Sequence, residues 1–131
     1  MTAQDPGPVT GLQLEVLRVL WRASSATVNE VHAALSASRD LAPTTVATLL
    51  KRLEKRGLVS HEKDGRQFRY RAVVQEEQVA RRAVDEVAET VFSGDVTAFA
   101  AQLLQRKDVN EDDLKAIRDM LRQRERELKG D

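Results

Sequence analysis

The chain contains no cysteine. Disulfide staples, thiolate catalysis and Cys-based zinc or copper sites are therefore excluded, and the absence is compatible with a cytoplasmic protein. No apolar run approaches the roughly 20 residues that a membrane helix needs, so membrane insertion is not expected. The opening residues MTAQDPGPVT lack the basic and apolar regions of a signal peptide, and residues 1–9 read as a flexible N-terminus. Histidine is scarce: His32 and His61 are the two, and neither has a second ligand at metal spacing. Both read as surface or partly packed side chains, with no metal and no cofactor expected. No Ser/His/Asp or Cys/His constellation and no Gly-rich phosphate loop occurs, so the chain does not read as an enzyme.

Net charge is also absent, with 21 Lys/Arg against 21 Asp/Glu in 131 residues. That balance argues against nucleic acid until its distribution is considered. Residues 1–74 hold 11 basic and 7 acidic side chains, residues 75–131 hold 10 and 14, and residues 43–72 hold 8 and 3. Local field rather than total charge governs phosphate binding. The alternative is a solvated charged surface.

What is present is mostly helical periodicity. Thr10 followed by Gln13 has the capping-box form and opens a helix, LQLEVLRVLWR, that buries Leu12, Val16, Leu17, Leu20 and Trp21. Trp21 on this apolar face reads as core rather than as a base-stacking residue. The Ala-Ser-Ser-Ala stretch at 23–26 breaks the helix. Thr27 and Glu30 form a second capping box before VNEVHAALS, whose Val28, Val31 and Leu35 point inward. Pro43 is suited to a first helical position and Gly57 to a left-handed stop, so residues 43–57 read as one helix.

That helix has two chemically opposed faces. At about 100° per residue, Val46, Leu49, Leu50 and Leu53 form an apolar stripe, while Thr44, Ala47, Thr48, Lys51, Arg52 and Lys55 lie opposite. Hydroxyls come first and cations follow, with no carboxylate in the N-terminal half. Such a surface suits a DNA major groove: Thr offers a hydroxyl and a methyl to base edges, and the cations suit phosphates. After Gly57 the period becomes alternating. Residues 58–63 and 67–73 read as two strands joined at Asp64-Gly65, with Phe68 and Tyr70 on one face and Gln67, Arg69 and Arg71 on the other. Lys63, Arg66, Arg69 and Arg71 make this hairpin basic, as a phosphate-contacting wing or as an edge guarded against pairing.

Residues 75–131 contain no expected strand. Glu76 to Val91 is amphipathic, with Val79, Ala80, Ala83, Val84, Val87 and Val91 on its apolar side, and Ser93-Gly94 ends it. Asp95 caps a second helix carrying Val96, Phe99, Ala100, Leu103 and Leu104. Asn110 caps a third, with Glu111, Asp112 and Asp113 reading as a helix first turn rather than a metal site, and with Leu114, Ile117, Leu121 and Leu128 inward. Three short helices in so few residues make a poor independent core. They read as a dimerisation unit, with an intramolecular cap on the first domain as the alternative. The expected fold is therefore mainly α with a small β-hairpin wing: a winged helix-turn-helix domain over residues 10–74, then a three-helix dimerisation domain over residues 75–131.

The run P-T-T-V-x-T-L-L-x-R-L-x-K-R-G-L, the following H-E-K-D-G-R-x-F-x-Y, and the later F-S-G-D and DDLKAIRDML resemble the penicillinase-repressor (BlaI/MecI-type) family of bacterial transcriptional repressors, over about residues 10–125. The resemblance implies a homodimer whose winged-helix domains bind an inverted-repeat operator in double-stranded DNA. Base-reading positions fall on Thr44, Thr45, Ala47 and Thr48, and phosphate contacts are expected from Lys51, Arg52, Lys55, Lys63, Arg66 and Arg69. The dimer interface is expected to use Val84, Val87, Val91, Phe92, Val96, Phe99, Leu103, Leu114, Ile117 and Leu121. Members controlling β-lactam resistance are inactivated by cleavage of an Asn-Phe bond, which makes a membrane sensor protease a further partner. The matching pair here is Gln102-Leu103, a departure that leaves the inducing signal open. A copper-responsive branch has a Cys-rich tail, which this chain lacks. The runner-up reading is a winged-helix protein-interaction module without specific DNA binding.

Overall fold

A computed structural model describes residues 6–9 and 11–130. The elements run α1 (Gly11–Ala23), β1 (Ala26–Thr27), α2 (Val28–Leu35), α3 (Pro43–Lys55), β2 (Val59–Asp64), β3 (Gln67–Ala72), α4 (Glu76–Thr90), α5 (Val96–Leu104) and α6 (Glu111–Leu128). The fold is mainly helical, with an antiparallel three-stranded sheet in the order β1-β3-β2. The chain divides into two compact units, one ending at Glu86 and the other starting at Val87.

The first unit is built around one apolar cluster. Val16, Leu17 and Leu20 of α1, Val31 and Leu35 of α2, and Val46, Leu49, Leu50 and Leu53 of α3 are buried together with Val59, Tyr70, Val74 and Val79. Leu12, Trp21 and Val28 are half-buried against this cluster. Each fully buried Val or Leu contributes about 1.5–3 kcal/mol, so the α3 stripe anchors that helix by hydrophobic burial rather than by capping. The Trp21 indole also donates from Nε1 to the Val74 carbonyl at 3.0 Å, tying α1 to the approach to α4.

Local chemistry sets the boundaries. Thr27 is the last residue of β1 and the N-cap of α2: its hydroxyl accepts from the Glu30 N–H at 3.2 Å, and its own N–H donates to Glu30 Oε1 at 2.9 Å. Pro43 opens α3, whose N-cap Ala42 makes no side-chain cap bond. The helix ends at Lys55 rather than running to Gly57, which sits at φ +80°. Two bonds close a Schellman motif there, Gly57 N to Glu54 O at 2.9 Å and Leu58 N to Leu53 O at 3.0 Å. The Thr10–Gln13 capping box lies outside the described residues in its Thr10 half. Gln13 Oε1 accepts from Arg56 at 2.7 Å.

The sheet differs from a two-stranded hairpin in one respect. Ala26 and Thr27, expected only as a helix break and a cap, pair with Tyr70 and Arg69 as a third strand. In the hairpin, Asp64 pairs with Gln67, so the loop is Gly65-Arg66 rather than Asp64-Gly65. Gly65 takes φ +66° and Arg66 does not share that region, the pattern of a II′ turn with Gly first.

In the second unit, the Phe92 and Phe99 rings stack with centroids 5.0 Å apart and planes 9° apart. Asp95 caps α5 through Ala98 N at 3.0 Å, and Asn110 caps α6 in a reciprocal box with Asp113. None of the described residues from Val87 onward is fully buried.

Candidate nucleic-acid interface

Burial of the α3 stripe leaves the opposite face outward. Thr44, Thr45, Thr48, Lys51, Arg52 and Lys55 are exposed, and Ala47 is half-buried. Thr44 to Lys55 spans about 16 Å at 1.5 Å per residue, comparable to the width of a major groove plus one wall. The Thr48 hydroxyl donates to the Thr44 carbonyl at 3.0 Å. Its free lone pair and its methyl are what remain for a partner, so in this rotamer Thr48 presents an acceptor and an apolar surface. Lys51, Arg52 and Lys55 form no ion pair among the described residues, and they stand in the second half of the helix. No acidic residue occupies the first turn, where the N–H groups and the helix dipole already favour an anion.

Strand alternation divides the wing into two faces. His61 and Lys63 of β2 share a face with Phe68 and Tyr70 of β3. His61 Nδ1 lies 2.8 Å from Glu54 in the last turn of α3, and its ring is 4.2 Å from Phe68 and 5.4 Å from Tyr70, centroid to centroid. Burial, and next the Glu54 carboxylate, raise the Tyr70 phenol above its ordinary pKa. Ser60, Glu62, Asp64, Gln67, Arg69 and Arg71 occupy the other face, where the cations are paired. Arg71 donates to Glu62 at 3.0 Å, and Arg69 donates to Asp64 at 2.9 Å and to Glu30 at 3.2 Å. Lys63 and Arg66 are exposed at the hairpin end and form no ion pair among the described residues.

Two cations not singled out by sequence reasoning have fixed roles. Arg56 donates to the carbonyls of Pro6 at 2.7 Å and Pro8 at 2.9 Å, as well as to Gln13, and so straps the N-terminal segment beside the end of α3. Arg39 pairs with Glu15 and ties the α2–α3 loop to α1. The Arg39 guanidinium holds the Glu15 carboxyl below its ordinary pKa, chiefly by hydrogen bonding. Local sequence carries no sign of either, because the partners are distant in the chain.

His32 Nε2 lies 2.7 Å from the Leu41 carbonyl and is half-buried. No group of His, Asp or Glu able to hold a metal exists among the described residues. No helix of the described residues is long and apolar enough to cross a membrane.

Within the second unit and the end of α4, the apolar residues lie open. Val84, Val91, Val96, Leu103 and Leu121 are each at least half exposed, Val87 is about a third exposed, and Phe92, Phe99, Leu114 and Ile117 are half-buried. Gln102 and Leu103 lie in the last turns of α5, both exposed.

The penicillinase repressor family model matches residues 9–123. The transcriptional regulator BlaI of Mycobacterium tuberculosis is 42% identical over 104 residues, 78% of this chain and 75% of that protein. The penicillinase repressor of Bacillus licheniformis is 26% identical over 113 residues, covering 86% and 88% of the two chains. Among solved structures, the DNA binding domain of the repressor BlaI superposes with a TM-score of 0.51 at 36% identity, covering 59% of this chain and 93% of that one.

Proposed function

The chain belongs to the penicillinase repressor family, and from that premise we propose that it is a homodimeric transcriptional repressor that binds an inverted-repeat operator. The observation that carries the reading is the exposed face of α3. Thr44, Thr45, Ala47 and Thr48 form a short surface of hydroxyls and methyls for base edges, and Lys51, Arg52 and Lys55 follow as phosphate ligands without competing carboxylates. Lys63 and Arg66 at the hairpin end add backbone contacts. So small a base-reading surface specifies few base pairs by itself. Specificity then requires two such helices about one DNA turn apart, roughly 34 Å, or a multiple of it.

The open valines and leucines of α4, α5 and α6 support the second half of the proposal. An isolated chain leaves them in water, whereas a second copy would bury them. A winged-helix protein-docking module explains the apolar face of α3 equally well. It gives no reason for an acid-free helix start beside unpaired Lys51, Arg52, Lys63 and Arg66.

The testing experiment is a salt series of binding to duplex DNA. The proposal expects a steep fall in affinity with salt, the logarithmic slope being about 0.9 per phosphate contacted. A docking module would show no DNA binding even at low salt.

A further inference from the structure

Arg69 differs from the other hairpin cations in being held on two sides. It stands on the central strand, opposite Thr27 of β1 and Glu62 of β2. Its Nε donates to Asp64 Oδ2 at 2.9 Å and its Nη1 to Glu30 Oε1 at 3.2 Å. Its side chain retains 31% exposure, against 56% for Arg71. We propose that Arg69 is a positioning residue for DNA binding, acting through Glu30 and Asp64 rather than on a phosphate.

The two carboxylates differ in what they are attached to. Glu30 Oε1 also accepts the Thr27 N–H in the α2 capping box, so it is a fixed point on the helical part of the unit. Asp64 is the last residue of β2, immediately before the Gly65-Arg66 turn. A planar guanidinium fork spanning both therefore sets the direction of the hairpin end, and with it Lys63 and Arg66. A point charge such as an ammonium cannot span the two in the same way.

Electrostatics points the same way. One guanidinium against two carboxylates leaves a local balance of −1, so Arg69 as paired offers no net positive charge to a phosphate. Swinging onto DNA would leave at least one carboxylate uncompensated beside the phosphate backbone. The hydrogen bond to Asp64 and the charge of Glu30 raise the Arg69 pKa, in keeping with a committed partner rather than a spare cation.

The inference rests on the DNA-binding reading, and the test separates the two. Affinity for a selected operator is measured against salt for the wild type, Arg66→Gln, Arg69→Gln, Arg69→Lys and the triple variant Glu30→Gln/Asp64→Asn/Arg69→Gln. Gln at position 30 preserves the capping box. Arg66→Gln is expected to lower the salt slope by about 0.9, the signature of one lost phosphate contact. Both Arg69→Gln and Arg69→Lys are expected to bind about fivefold more weakly, since neither can bridge two carboxylates. The triple variant also removes the stranded carboxylates and is expected to bind more tightly than Arg69→Gln yet more weakly than the wild type, because nothing then spans positions 30 and 64. If Arg69→Lys or the triple variant binds like the wild type, the fork between positions 30 and 64 sets nothing and the inference is overturned. Loss of salt-dependent binding by the wild type itself would instead remove the DNA-binding reading.

Discussion

The Nδ1 atom of His61 lies 2.8 Å from both carboxylate oxygens of Glu54, joining β2 of the wing to the last turn of α3. Phe68 closes over the same ring at a centroid distance of 4.2 Å. The hairpin is thus coupled to α3 by a polar contact on one edge of an imidazole and an aromatic contact on its face.

Replacing His61 with Ala removes both contacts at once. Aromatic pairs contribute about 0.5–1.5 kcal/mol beyond area burial. A loss of about 1 kcal/mol corresponds to a fall in Tm of about 4–8 °C for a unit of this size. Thermal unfolding by circular dichroism measures the fall, and backbone amides of residues 60–70 should exchange faster in the variant. An unchanged Tm with unchanged exchange would show that the contact holds nothing.

On α3, the hydroxyls and the cations should separate in their effects. Arg52→Ala is expected to weaken binding to operator and random DNA alike and to lower the salt slope by about 0.9. Thr48→Ala should reduce operator affinity about tenfold, roughly 1.4 kcal/mol, with little effect on random DNA. Competition titrations on the two DNAs measure both. Equal losses on operator and random DNA for Thr48→Ala would assign Thr48 to the backbone instead.

Acid stability should depend on Glu30. Its pKa lies below the ordinary 4.5, chiefly because the Thr27 N–H binds the carboxylate and next because of Arg69. A carboxyl depressed in the folded state stabilises the fold above its unfolded pKa. That contribution is lost as pH falls through the depressed value. The Tm of the wild type should therefore fall on acidification below about pH 4.5, and Glu30→Gln should show a shallower fall over the same window. Parallel curves for the two proteins would contradict this.

Leu121 is 59% exposed on α6. If a second copy covers it, Leu121→Glu buries a charge without a partner and should shift sedimentation from dimer to monomer. The monomer should lose operator affinity by about a hundredfold or more, because the two half-sites no longer bind as one unit. A variant that sediments and binds as the wild type does would place the interface elsewhere.

Much of this architecture was legible because its signals are local. The Thr27–Glu30 box, the Asp95 and Asn110 caps and the Val46-Leu49-Leu50-Leu53 stripe each lie within a few residues of chain, and each appears in the structure as expected. The strand Ala26–Thr27 was not legible, since two residues carry no period and Ala-Ser-Ser-Ala reads as a break. The wing was legible as a basic hairpin with two faces; that Arg69 and Arg71 on one of them are paired with carboxylates was not. Arg69 finds Glu30 from 39 positions away, and Arg56 finds Pro6 from 50. Counting charges in a window cannot reveal that such cations are already engaged.

We propose that two copies of this chain read a two-fold symmetric DNA site through α3. Selection of bound sequences from random duplex DNA, with the stoichiometry of the recovered complex measured by sedimentation, tests it most directly. Enrichment of an inverted repeat whose half-sites are about one helical turn apart, bound by two chains, is the expected result. Enrichment of a single asymmetric site by one chain, or no enriched sequence, would contradict it.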